Sequence, residues 1–433
     1  MPLSKLQLND SVDKLAHELI ELGTQLFNNP ELGFKEHKTK QIMWDKLGQI
    51  PQLKLVDNLA ITGFSAELHN PDARYTIALI AEMDAVYQPQ HFCAASDGAS
   101  HCCGHDSQMV IMYAVIKVLA ESGIKLPFNL RLIFTPAEEF LDLDYRLQLQ
   151  KSGVIKYLSG KQELLSRGVF NDVDLVISCH SLGGNPEFDF DLATNLVGFI
   201  IKRAKFIGKS AHAGAAPEQG INALNAASLA LSAIAYSRET FPNQDYIRVS
   251  PIIKPNNWAA SVIPESAEVE MYIRAANISA IENTTAKVDN CLRGAALAVG
   301  CQLEINNLMG YFPLLQHPEL TALAIKNATQ LTHESRIDKS SSIVAASGDV
   351  GDLSLLMPTI QIGYGGYRGT IHGVDFKVSE PQQIYQTTAK LVLGMLHDLM
   401  QDGTALVSKI TDEFKPISLD EYHNIIRRLS HAE

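Results

Sequence analysis

Tyr75–Met83, YTIALIAEM, is a near-continuous apolar run, and its reading decides the fold. A strand with one wet face alternates apolar and polar residues. A strand covered on both faces reads as an unbroken run of Ile, Leu and Ala, and such strands belong to parallel sheets flanked by helices. The run ends at Asp84, a carboxylate at the strand's carboxyl end. Two later segments repeat the arrangement: Phe128–Phe134 (FNLRLIF) leads into Thr135-Pro136-Ala137-Glu138-Glu139, and Val173–Cys179 (VDLVISC) leads into His180. Three successive strands therefore present ionisable groups where open α/β sheets build their sites.

Outward from these strands the chain alternates helix and strand. Residues 12–46 show helical spacing broken at Asn28-Asn29-Pro30, which predicts two helices around a turn. A helix is expected over Ser107–Glu121, capped by Asp106 and ended by Gly123. Leu141–Arg167 reads as a helical lid or contact surface. From Leu196 the order becomes β-α-β-β-α-β, with strands near 198–207, 246–253, 261–273 and 302–306 and helices near 222–237 and 279–299. That order is the ferredoxin-like unit. After Pro313 the first pattern resumes and closes with a helix near 381–400. The expected organisation is an α/β catalytic domain with a mostly parallel sheet in two parts (1–195 and 313–400), an inserted ferredoxin-like lid or dimerisation domain (196–312) and a C-terminal extension (401–433).

The 433 residues exceed the usual size of one core. Apolar content of 46% and charged content of 19% describe an ordinary soluble globular chain. A net charge of -12 argues against a phosphate-binding surface, and so against nucleic acid as partner. No apolar run is long enough to span a bilayer, and the N-terminus lacks a basic region followed by an apolar core. Six cysteines are too sparse for a disulfide framework at this length, which predicts reduced thiols and a cytoplasmic location.

The chemistry concentrates in His101-Cys102-Cys103-Gly104-His105-Asp106. Thiolate, imidazole and carboxylate together form a donor set suited to zinc, manganese, cobalt or iron, and Gly104 lets the backbone turn so that Cys103 and His105 converge. Two adjacent buried cysteines can equally be small core residues. Glu138-Glu139 would mean little in a solvated loop, but at the end of a buried strand each carboxylate needs a partner. A metal satisfies one and leaves the other free to move a proton. His180 follows a buried strand directly. His372, in IHGVDF, gains little support from its own surroundings.

NPELGFKEHKT, EMDA, CCGHD, TPAEE, GKSAHAG with the following INAL, SVIPESAEVEMYIRA and IHGVDF occur in this order from about Pro30 to Phe376. In them the chain resembles the dinuclear-metal peptidase family of aminoacylase, carboxypeptidase G and hippurate hydrolase. The likeness is greatest to its amidohydrolase branch of indole-acetyl-amino-acid and aminobenzoyl-glutamate hydrolases. The resemblance implies two divalent metal ions, zinc or manganese first and cobalt or nickel as alternatives. Cys103 would bridge them, with His105 and His180 completing one site and Glu139 and His372 the other. It implies Glu138 as general base, Asp84 as the aspartate that orients a ligand, and His212 as the group offered by the small domain, often of a partner subunit, to the scissile carbonyl. Arg274 would meet the substrate carboxylate. The implied reaction is hydrolysis of a small-molecule amide, an N-acyl or aryl-acyl amino acid, by metal-activated water in a homodimer.

The chain departs from the branch at Cys102, where alanine is usual, at Gln108, where a histidine is common, and at Ser261, where asparagine usually precedes VIP. The interval from Glu139 to His180 is longer than usual, with the extra residues falling near 140–157. Two other readings stand beside the acylase: a metallo-dipeptidase, and a catalytically silent homologue that binds a metabolite. A structural zinc site fits less well, because its ligands would lie close together in sequence.

Overall fold

The computed structural model describes residues 4–184 and 187–430. Two compact units divide the chain. The first holds the chain up to Thr194 with Leu315–Ser342 and Asp352–Pro416; the second holds Asn195–Leu314, Ile343–Gly351 and the chain from Ile417 onward. The first unit opens with β1 (Lys54–Ala60), β2 (Gly63–Leu68), β3 (Thr76–Glu82), β4 (Asn129–Thr135), β5 (Leu175–Ser181) and β6 (Phe190–Asp191). The second contributes β7 (Gly198–Ile207), β8 (Arg248–Ile253), β9 (Ser266–Ala275) and β10 (Gln302–Met309), after which β11 (Ile337–Asp338) and β12 (Thr359–Tyr364) return to the first.

The large sheet runs β1-β2-β4-β3-β5-β12-β6-β11. Its centre, β4-β3-β5-β12, is parallel, and antiparallel pairs β1–β2, β2–β4 and β6–β12 flank it. Every residue of β3 is buried, as its apolar run requires. The crossover helix His105–Glu121 is buried along nearly its whole length. It packs on β3 and is covered in turn by helices Ala16–Phe27 and Thr388–Leu399. Because these strands are parallel, their carboxyl ends share one edge. Glu82 pairs with Thr135 across β3 and β4, and Gly363 with His180 across β12 and β5.

Local differences from the sequence reading have physical causes. The two helices expected around Asn28-Asn29-Pro30 are Ala16–Phe27 and His37–Gly48, and a further helix, Lys5–Lys14, precedes them. That added helix is fixed by a capping box between Ser4 and Gln7. The hairpin β1–β2 went unread because β1 is largely exposed and carries no apolar pattern. The last helix begins as a π-helical turn at Gln382–Thr387 before Thr388–Leu399 continues as α-helix. β9 starts at Ser266, beyond Pro264, which has no N–H to give to a ladder. No helix among the described residues is long and apolar enough to cross a membrane.

The second unit has its own sheet, β8-β9-β7-β10, antiparallel throughout, with helices Ala223–Ser237 and Ile278–Val299 packed on it. Strand order and connections are ferredoxin-like. Burial alternates residue by residue along β9, so one face meets the helices and the other does not. Within the covered face lies the fully buried Lys202, whose ammonium donates to Asn307 Oδ1 at 2.5 Å and to the Asp289 carboxylate. Removing one partner of a buried ion pair leaves the other charge without compensation. Asp289→Ala is expected to destabilise this unit by about 3–5 kcal/mol, read by calorimetry as an earlier transition for the second unit.

Candidate metal centre

Asp84 leaves β3 fully buried. Its two carboxylate oxygens accept the N–H groups of Glu138 at 3.0 Å and Glu139 at 2.9 Å. Its carbonyl meets His105 Nδ1 at 2.8 Å. One residue thus ties the loop after β4 to the start of helix His105–Glu121. With Nδ1 so engaged, His105 turns Nε2 inward, where it is buried and has no hydrogen-bond partner. The nearest carboxylate oxygens are those of Glu82 at 3.2 Å and Glu138 at 3.8 Å.

Gly104 makes the turn that brings Cys103 and His105 together. Its φ of 86° lies in the left-handed region, and a Cβ there would fall 2.7 Å from Ser181 Cβ. The turn is held from two strands: Ser181 Oγ donates to Cys103 O at 2.6 Å, and Tyr364 Oη donates to Gly104 O at 3.1 Å. Cys103 Sγ then lies 3.4 Å from His180 Nε2, while His180 Nδ1 faces the carbonyl of Ser181 at 2.9 Å. On the other side, His372 Nε2 is 3.1 Å from Glu139 Oε1, and the N–H of His372 donates to Cys102 O at 2.8 Å.

The donor atoms fall into three close groups: Cys103–His105–His180, Cys103–Glu139–His372 and Glu82–His105–Glu138. The first two share the Cys103 sulfur, which is the topology a bridging ligand needs. Electrostatics point the same way. Burial, reinforced by Glu139, pushes the Cys103 thiol well above its ordinary range. Burial opposes charge on His105, yet Cys103 and Glu82 outweigh it and hold its pKa well above the usual value. Glu139 is drawn down to about 2 against its burial, first by His372. Burial lowers His180, which favours the neutral imidazole that a metal requires. Acceptors crowd a largely buried site with His372 at its exposed margin, and one imidazole nitrogen lacks a hydrogen-bond partner. The residues fit a pair of divalent ions.

Three groups escaped the sequence reading or changed meaning. Glu82 was absorbed into the apolar run, although a charged residue two positions before Asp84 in a buried strand was a legible signal. Its carboxylate takes the Lys161 ammonium at 2.6 Å and the Gln108 amide at 2.7 Å, and lies at about 2 in pKa, against its burial, chiefly through Lys161. Gln108 thereby has a task of its own in holding the Glu82 carboxylate. Cys102 belongs to none of the three groups; its sulfur lies 4.0 Å from Ser100 Oγ, and burial raises its thiol to about 11.

His212 and Arg274 lie in the second unit. His212 is exposed, and its Nδ1 accepts the N–H groups of Gly214 at 3.2 Å and Ala215 at 3.0 Å, which leaves Nε2 to carry the proton. Arg274 donates through Nη1 to Ala345 O and Ser347 Oγ, each at 3.0 Å, and lies over the rings of Phe199 and Tyr272 at 5.4 Å.

Residues 78–398 match the pattern of peptidase family M20/M25/M40. The Xaa-Arg dipeptidase of Homo sapiens is 26% identical over 439 residues, covering 96% of this chain and 93% of that protein. The N-acetyldiaminopimelate deacetylase of Oenococcus oeni is 28% identical over 334 residues, covering 72% and 81%. A solved dinuclear metal binding peptidase from the M20 family of Bacillus subtilis superposes with a TM-score of 0.68 at 19% identity, covering 90% of this chain and 99% of that one, a likeness of fold.

The geometry separates the two adjacent thiols. Cys103→Ala is expected to lower bound manganese or zinc by more than half at sub-saturating metal, and Cys102→Ala to leave it near wild type, by elemental analysis after dialysis. The reverse order would move the bridging role to Cys102.

Proposed function

The chain belongs to peptidase family M20/M25/M40, and from that premise we propose that it is a metal-dependent amidohydrolase cleaving the amide bond of an N-acyl or aryl-acyl amino acid. The observation that carries the reading is the pair of three-donor groups joined at Cys103, with the Glu138 carboxylate beside them and outside both. In this reading Cys103, His105 and His180 would hold one ion, and Cys103, Glu139 and His372 the other. Bound there, divalent ions supply Lewis acidity to a carbonyl and acidify water.

The chain's own residues do the rest. Glu138 is 6% exposed and has its N–H fixed by Asp84, so its carboxylate works from a constrained backbone in a dry site. It takes a proton from the attacking water and returns it to the departing amine. His212, with Nε2–H available, donates to the developing oxyanion, supplied by closure of its domain or by a second copy of the chain. Arg274, held beside two stacked aromatic rings by its carbonyl and hydroxyl partners, meets the substrate carboxylate. The reading includes a homodimer formed through the inserted four-stranded domain, in keeping with the exposed Leu229, Tyr236 and Ile252 of that unit. It also includes a cytoplasmic location, which the six free cysteines suit.

A dipeptidase is the second reading. The dipeptidase relative matches 96% of the chain, more than the 72% matched by the deacetylase. Both reactions use the same centre and differ in whether a free α-amino group is required.

Amine release from N-acetyl, N-benzoyl and aryl-acyl amino acids and from Xaa-Arg dipeptides, with manganese-loaded protein, separates the readings. Cleavage of the acylated compounds is expected, and preference for a free α-amino group would select the dipeptidase. Glu138→Ala should lose about 10²–10⁴-fold in turnover while keeping both metals. Normal turnover in that variant would remove the base assignment.

A further inference from the structure

The loop 136–140 is held through the N–H groups of Ala137, Glu138 and Glu139 and the carbonyls of Ala137 and Glu139. On its amide side, Ala137 N–H donates to Glu36 at 2.8 Å, while Glu138 and Glu139 donate to Asp84. On its carbonyl side, Gly160 N–H donates to Ala137 O at 3.2 Å and Leu141 N–H to Glu139 O at 2.8 Å, and one guanidinium spans the two. Arg146 Nη1 donates to Ala137 O at 3.1 Å and to Leu158 O at 2.8 Å, and Nη2 donates to Glu139 O. Arg146 is 1% exposed and lies over the rings of Phe34 at 5.5 Å and Phe140 at 5.8 Å. Gly33 makes its berth, since a Cβ there would fall 2.5 Å from Arg146 Nη2 and 2.8 Å from Ala137 Cα.

Burying a guanidinium costs several kcal/mol unless its protons are well used. Here the two terminal nitrogens are spent on the carbonyls of Ala137, Leu158 and Glu139, the first and last of which flank Glu138, while Nε is buried without a hydrogen-bond partner. A planar fork can span that pair, whereas an ammonium acts as a point donor. The held loop is also conformationally demanding, because Ala137 has φ of 52°, a left-handed value that a residue with a Cβ rarely adopts without outside support. The helix that carries Arg146, Leu143–Lys151, falls within the stretch near 140–157 that the family resemblance marks as longer than usual.

We propose that Arg146 is a positioning residue that fixes the backbone on either side of Glu138, making the inserted helix part of the catalytic scaffold rather than a rim decoration. The proposal rests on the reading of Glu138 as the base. Displacement of a reacting group by an ångström costs about 100-fold in rate, and Arg146 controls that displacement without touching substrate.

The test compares Arg146→Lys, Arg146→Met and Glu138→Ala at saturating manganese, with kcat, KM, bound manganese and amide hydrogen exchange of the metal-free proteins. Expected for Arg146→Lys is a fall in kcat of about 10–100-fold, KM within about twofold, unchanged manganese, and faster exchange at 137–139 with β4 unchanged. Arg146→Met should show the larger effect, and if it does not fold, Arg146→Lys decides. Wild-type kcat in Arg146→Lys overturns the proposal. So does a lower kcat with exchange at 137–139 at the wild-type rate, which would mark a structural role elsewhere. Normal turnover in Glu138→Ala would defeat the base assignment instead, and the exchange rates would still report whether Arg146 holds the loop.

Discussion

The buried carboxylate of Asp84 is the constraint on which the rest of the centre depends. A carboxylate with both oxygens filled by main-chain N–H groups is compensated without a counter-ion. Here those donors belong to Glu138 and Glu139, while the same residue's carbonyl receives His105. Two elements far apart in sequence are thereby registered to the end of β3. The parallel sheet makes this economical, since β3 and β4 end side by side and bring their loops within reach of one side chain.

Around that anchor the site is a controlled excess of acceptors. Glu82, Glu138, Glu139 and Cys103 crowd about His105 in a region almost without solvent, and Lys161 is paired with Glu82. Such crowding is costly in a metal-free chain, so bound cations should contribute directly to the stability of the folded first unit. Function and stability therefore draw on the same residues. A substitution that relieves the crowding would be expected to firm the empty fold while weakening the centre.

Much of this was legible in the sequence, and the reasons differ by residue. β3, β4 and β5 announce themselves because a strand covered on both faces must be apolar throughout, and the ionisable residues at their ends stand out against that background. The Cys103-Gly104-His105 turn is local, so its geometry is written in consecutive residues. Glu82, Lys161 and Arg146 are different: each is a charged residue whose burial depends on partners some 7 to 79 positions away. Composition treats such residues as surface. The β1–β2 hairpin and the π-helical turn were also hidden, one by exposure and the other because hydrophobic spacing does not distinguish a π turn from an α turn.

Both His105 and His180 lean their Nδ1 atoms on main-chain carbonyls, those of Asp84 and Ser181, each at under 3 Å, and for His105 the Asp84 carboxylate stands farther off at 3.4 Å. The proton-bearing nitrogen of each ring is therefore chosen by the path of the backbone. No single substitution can delete a carbonyl. The tautomers of both imidazoles are consequently inherited with the fold itself. The surrounding side chains are free to diverge in pursuit of new substrates without unsettling which nitrogen faces the metal.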